Sequence, residues 1–177
     1  MLTDDRIKCC PAGLVSDGSR KTKVLDCTIR DGGICNDWQF DKGLVKAVYQ
    51  ALADSNIDYM EIGYRTTEGC FDRTKAGPWR FCDEDILREI VEDRDLKIST
   101  MVDIGRISPS DIQHTNDSAV DVVRIATYAH QLDEALRLLD HCLENGYETF
   151  MNVMAVSTLS PAALNSYVQG ALADLAY

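Results

Sequence analysis

The chain has 177 residues, 45% of them hydrophobic and 27% charged, with a formal net charge of −11. That length and balance suit one globular domain with a proper core. The acidic excess argues against nucleic acid or an anionic membrane surface as a partner, since both are held by basic patches.

Residues 1–22 read as a polar N-terminal extension and 23–177 as the folded domain. The extension lacks the apolar stretch of a secretory signal, and no run approaches the roughly 18 apolar residues of a membrane span. A cytoplasmic location is therefore expected. Residues 23–29 (K-V-L-D-C-T-I) predict a strand, with Gly32 and Gly33 as its stop. A helix over 41–55 follows, with Asp41 as N-cap and Leu44, Val45, Val48, Tyr49 and Leu52 on one face. Residues 57–63 (I-D-Y-M-E-I-G) form the second predicted strand. After a longer connection comes a helix over 83–93, with Ile86, Leu87, Ile90 and Val91 at helical spacing. A third strand spans 96–102, a short helix follows Pro109, and a fourth strand spans 120–126. The amphipathic pattern of 132–145 ends at Gly146, as a C-terminal glycine ends a helix. A fifth strand covers 149–155, and Ser160-Pro161 opens a fifth helix.

Strands alternating with helices imply a parallel sheet with right-handed crossovers. The pattern alone fits either an open doubly wound sheet or part of a closed barrel. There is no G-x-G-x-x-G after the first strand and no phosphate-cradling G-x-x-x-x-G-K-[ST]. Seven cysteines, odd in number and without a C-x-x-C pair, read as free thiols buried as small apolar residues. The long connection 65–81 carries Arg73, Trp79 and Arg80. It fits a lid or a substrate-anion contact, and equally a packed surface loop or an oligomer contact.

Asp26-Cys27-Thr28-Ile29-Arg30-Asp31-Gly32-Gly33 sits at the predicted tip of the first strand, where parallel α/β folds place their chemistry. A carboxylate there can hold a hard divalent metal, and a neighbouring guanidinium can meet a developing negative charge. Gly32 and Gly33 would let the backbone turn and leave room for substrate. The same Arg–Asp pair also fits a surface ion pair in a turn.

This string resembles the first-strand signature of the HMG-CoA lyase-like (DRE-TIM metallolyase) superfamily. That group includes 3-hydroxy-3-methylglutaryl-CoA lyase, 4-hydroxy-2-oxovalerate aldolase, and the isopropylmalate and homocitrate synthases. Tyr59-Met60-Glu61-Ile62-Gly63-Tyr64 resembles its second strand, Val123-Arg124-Ile125-Ala126 its fourth, and Asn152-Val153-Met154-Ala155 its fifth. The aldolase-like branch is the nearest in pattern. The resemblance implies a (β/α)8 TIM barrel, of which about five N-terminal units are present. It also implies a metal-dependent carbon–carbon lyase that acts on a 2-oxo acid or aldehyde through an enolate. Mn²⁺ or Mg²⁺ is the expected metal, with Zn²⁺ or Co²⁺ as alternatives.

Carried over by position, Arg30 would stabilise the enolate, Asp31 would bind the metal, and Glu61 would contribute polar or acid–base chemistry. For Glu61 a salt bridge to an arginine such as Arg65 is the competing reading. Arg124 would bind a carboxylate or else pair with Asp121. His130 is the candidate for proton transfer, and Asn152 and Ser157 would hydrogen-bond substrate from the fifth strand. Gly33-Ile34-Cys35-Asn36 departs from the synthases' acidic-glutamine continuation, which disfavours an acyl-CoA-dependent Claisen condensation. The family's His-x-His metal pair is absent from the sequence. A barrel of this type uses about 250 residues. The chain is therefore expected to show little activity alone and to be a homo-oligomer or completed by a C-terminal half-barrel. A non-catalytic interaction module is the remaining alternative.

Overall fold

The structure, a computed structural model, describes residues 22–174; the N-terminal extension read from the sequence lies outside them apart from Thr22. Five strands, β1 (Leu25–Asp26), β2 (Tyr59–Tyr64), β3 (Lys97–Asp103), β4 (Val122–Thr127) and β5 (Glu148–Val153), pair in parallel in sequence order. A doubly wound sheet reverses direction at a switch point, and this one does not. Unbroken sequential order is how a (β/α)8 barrel is built, so the sheet is a curled half-barrel.

Helices α1 (Thr28–Asn36), α2 (Lys42–Asp54), α3 (Glu84–Ile90), α4 (Leu132–Glu144) and α5 (Pro161–Asp174) fill the connections. The Asp41 carboxylate caps α2 by accepting from the Gly43 and Leu44 amides at 2.8 and 3.3 Å. α4 ends in a Schellman turn. Gly146 has φ +85°, its amide bonds the Leu143 carbonyl, and the Tyr147 amide bonds that of Cys142.

Alternation along the strands sorts the side chains between two faces. Met60, Ile62, Ile98, Val102, Val123 and Ile125 pack outward against Val45, Tyr49, Leu87, Ala135 and Leu139 of the helices. The concave face carries Tyr59, Val122, Arg124, Phe150 and Asn152, which share a cavity of about 310 Å³ with Leu25.

Two expectations are corrected. The first strand stops at Asp26 instead of running to Ile29, because the Asp26 carboxylate accepts from the Thr28 amide (3.0 Å) and hydroxyl (2.9 Å). Those local bonds compete with strand pairing and start α1, so Gly32 and Gly33 lie inside a helix and do not stop the strand. Among the cysteines, Cys82 and Cys142 are buried, and burial pushes both thiols up to about 12. Cys35 and Cys70 are exposed instead, and Cys27 is half-buried. Cys9 and Cys10 lie outside the described residues.

Candidate active site

α1 begins directly at the end of β1, so its first turn stands at the C-terminal rim of the sheet. Ile29 is buried and anchors the turn to the core, which leaves Arg30 to reach sideways across β2. Its Nε donates to Glu61 Oε2 at 2.6 Å, and its Nη1 contacts the Asp31 carboxylate. From β4, Arg124 Nη1 donates to both Glu61 oxygens at 2.8 Å.

Glu61 is 0% exposed. A carboxylate so buried is costly unless its lone pairs are met. Here two guanidinium groups from different elements meet them. The alternative of a bridge to Arg65 is corrected: Arg65 pairs with Glu84 at 2.6 Å. Nor does Asp121 take Arg124, since its carboxylate accepts from the Ile98 amide at 2.8 Å.

The electrostatics keep Arg30 charged. Burial works to lower the Arg30 pKa, but the Glu61 carboxylate more than offsets it and holds the proton above the ordinary arginine value. Cys27 closes the cluster from below, with Arg124 Nη1 3.7 Å from its Sγ. Burial first, and the nearby Glu61 charge second, push this thiol's pKa up, so it stays protonated and inert at neutral pH. Two cations against one buried carboxylate leave a single positive charge, which Asp31 neutralises only through its contact with Arg30.

Behind Arg30 lie two residues the sequence reading did not single out. Asp37 and Trp38 adopt φ of +53° and +58°, conformations costing roughly 1 kcal/mol each outside glycine. They fold Trp38 back over α1, where its indole Nε1 donates to the Arg30 carbonyl at 2.9 Å. A Cβ on Gly33 would fall 2.0 Å from the Trp38 ring. Gly33 therefore makes room for the indole, and not for a backbone turn or for substrate. The Trp38 ring meets Tyr64 edge-on at 5.4 Å between centroids. The Arg80 guanidinium lies 3.9 Å from the Tyr64 ring, 4.0 Å from Phe71 and 4.8 Å from Trp38, and bonds Asp103 at 3.2 Å.

Trp79 and Arg80 are 0% and 2% exposed, so this part of the long connection is packed core and not a lid. Arg73 is exposed and pairs with Asp83 at 2.7 Å.

The remaining candidates are more scattered. Asn152 lines the same cavity as Arg124. His130 sits exposed on the 3-10 turn Ala129–Gln131 with its ring stacked on Tyr128, and Ser157 is exposed on the turn Val156–Thr158. Among the described residues neither bonds to the Arg30–Glu61–Arg124 cluster. For a divalent metal, Asp31 offers one half-exposed carboxylate, and no three His, Cys, Asp or Glu side chains among the described residues gather as a ligand set. The described residues alone do not make a metal site.

A parallel half-barrel with a buried arginine–glutamate–arginine cluster is the class this geometry defines. No family model matches the chain. It is 25% identical over 143 residues to a 4-hydroxy-2-oxovalerate aldolase of Geobacillus genomosp. 3, covering 80% of this chain and 42% of that protein. It is 24% identical over 154 residues to an oxaloacetate decarboxylase of Mycobacterium tuberculosis, covering 85% and 44%. The chain thus spans less than half the length of these curated relatives. Among solved structures, the N-terminal domain of a proposed aldolase from Bacteroides vulgatus superposes with a TM-score of 0.70. That match is 29% identical and covers 83% of this chain and 48% of that one. The HMG-CoA lyase of Bacillus subtilis matches in fold, with a TM-score of 0.61 at 13% identity, over 89% and 56% of the two chains. Over the part that these matches cover, the chain is similar in sequence to 4-hydroxy-2-oxovalerate aldolase and oxaloacetate decarboxylase, and it shares its fold with the HMG-CoA lyase. Among the described residues no helix is long and apolar enough to cross a membrane.

Proposed function

We propose that this chain carries the enolate-stabilising part of a cytoplasmic carbon–carbon lyase acting on 2-oxo acids, in the manner of a 4-hydroxy-2-oxovalerate aldolase. One observation carries the reading: Arg30, from the turn after β1, and Arg124, from within β4, are both fixed on the buried Glu61 of β2. Breaking a carbon–carbon bond next to a carbonyl leaves an enolate, and donors aimed in advance at the developing charge lower that barrier. Arg30 supplies such a donor, and Arg124, beside Asn152, meets the substrate carboxylate. Glu61 acts as the anion that orients both cations and takes no part in proton transfer. His130 and Ser157 stand outside this cluster. A divalent cation, Mn²⁺ or Mg²⁺ by the resemblance, would use Asp31 and need further donors that the described residues do not supply. Completion by a C-terminal half-barrel or by another copy is part of the proposal.

Oxalate, a planar mimic of the pyruvate enolate, tests the reading in calorimetry with Mn²⁺ present. Binding should weaken at least tenfold in Arg30→Ala and measurably in Asp31→Asn. Pyruvate release from a panel of 4-hydroxy-2-oxo acids should fall in the same variants. Oxalate binding that Arg30→Ala leaves unchanged, or no binding once the completing half-barrel or second copy is present, overturns the reading.

A further inference from the structure

α1 is a poor helix in isolation. It has nine residues, includes Gly32 and Gly33, and receives no side-chain bond from its N-cap Cys27. Helices that short are marginal in water and glycine weakens them further. Yet the turn bearing Arg30 must be held to a fraction of an ångström if its guanidinium is to be aimed in advance. Something other than the helix itself has to fix it.

Trp38 meets that requirement from three sides. Its indole N–H bonds the Arg30 carbonyl at 2.9 Å, and its ring lies on Gly33, one turn further along α1. Its own amide bonds the Gly33 carbonyl at 2.9 Å. The other side of Trp38 rests against the Tyr64 ring and the Arg80 guanidinium, both held by β2, β3 and the loop between them. Gly77 offers no Cβ where one would stand 2.1 Å from the Trp38 carbonyl, and its amide bonds the Asp37 carbonyl at 2.7 Å. The left-handed pair Asp37 and Trp38 persists only because these contacts over-determine it.

We propose that Trp38 is a positioning residue: its indole N–H and ring, braced on Tyr64 and Arg80, lock the Arg30 turn of α1 so that the guanidinium stays aimed across Glu61. The proposal rests on the reading of Arg30 as an anion-holding group. Trp38 touches no substrate and acts through Arg30 alone.

The test uses the full chain labelled with ¹⁵N. In the unaltered protein the Arg30 Nε–H should exchange slowly with solvent, since it bonds Glu61 at 2.6 Å. Trp38→Phe keeps a ring and removes the indole donor. Gly33→Ala keeps the donor and drives a methyl into the ring. Each should speed Arg30 Nε–H exchange at least tenfold and weaken oxalate binding about fivefold or more. Ile98→Val, a buried trim in β3, controls for general loosening and should change neither signal beyond twofold. If both site variants leave the Arg30 exchange rate within twofold, or if Ile98→Val reproduces their effect, the proposal is overturned. Should neither site variant fold, the unaltered protein decides: a Trp38 indole N–H that exchanges as fast as an exposed one overturns it, and slow exchange matched to Arg30 supports it. Arg30 exchange that depends on Trp38 while oxalate binds no form of the protein would sink the functional reading and leave the positioning role standing.

Discussion

Two levels of the concave face carry charge clusters of opposite character. At the N-terminal ends of the strands, Lys23 donates to the Tyr59 hydroxyl at 3.0 Å, and Tyr59 donates to Glu148 at 2.7 Å. Lys97 joins Glu148 at 2.6 Å. Those last two side chains are 50% and 33% exposed, so water screens the pair and can replace either partner. Further along the strands, Glu61 is closed off from water, and among the described residues Arg30 and Arg124 answer its charge. Similar residue types are adjustable at one level and committed at the other. The committed cluster is the one that includes Arg30, whose turn follows the C-terminal end of β1, where parallel barrels place their chemistry.

Removing one anion from each level tests that contrast. Glu61→Leu leaves Arg124 without its counter-charge and Arg30 with the exposed Asp31 alone, and should cost about 3 kcal/mol in urea unfolding. Glu148→Gln leaves Lys97 in water and should cost less than about 1 kcal/mol. Equal costs would show that burial does not separate the two clusters.

Arg80 ranks next. Arg80→Met keeps an apolar filler among Trp38, Tyr64 and Phe71 but gives up the Asp103 bond and the cation–ring contacts. Asp103 keeps Arg106 at 3.1 Å and is not stranded. The expected loss is about 1–2 kcal/mol by thermal unfolding. A neutral or stabilising result would mean that Arg80 is held for its position and contributes no net stability.

Much of the fold was legible because strand and helix segments declare themselves by periodicity, and predicted segments 41–55 and 132–145 match α2 and α4 to within a residue at each end. The end of β1 was not, because Asp26 rewrites it through two bonds spanning only two residues, an effect no hydrophobic pattern carries. Arg30, Glu61 and Arg124 were each recognisable, but their union was not: the partners lie 31 and 63 residues from Glu61. Spacing pointed instead to neighbours in the chain, Arg65 for Glu61 and Asp121 for Arg124. Trp38 left one faint signal. Asn36-Asp37 closes a glycine-bearing helix, and Asn and Asp tolerate the left-handed turn that such an ending needs. What the turn was for depended on Gly33, and an open position reads the same in sequence whether it accommodates a turn, a substrate or an indole.

The smallest expected effect is the pH response of the exposed cluster. Burial alone would raise the Glu148 pKa, but the bonds from Lys97 and Tyr59 outweigh it and hold the group below its ordinary 4.5. A carboxylate with a depressed folded-state pKa stabilises the fold above its unfolded value, and that stability is lost as pH falls through the folded one. Lys97, raised by the Glu148 bond, acts with the opposite sign: its contribution is full below the ordinary 10.5 and is lost as pH rises through the higher folded value. Between those limits the pair should contribute a flat increment of about 0.5 kcal/mol. The unfolding free energies of the unaltered chain and Glu148→Gln should therefore differ by that amount at pH 7 and converge on acidification below 4. Glu84, also held below its ordinary value, keeps its own acid response in both proteins and cancels in the difference. A gap that stays constant down to pH 3 would assign the loss to packing around Tyr59 instead of to charge.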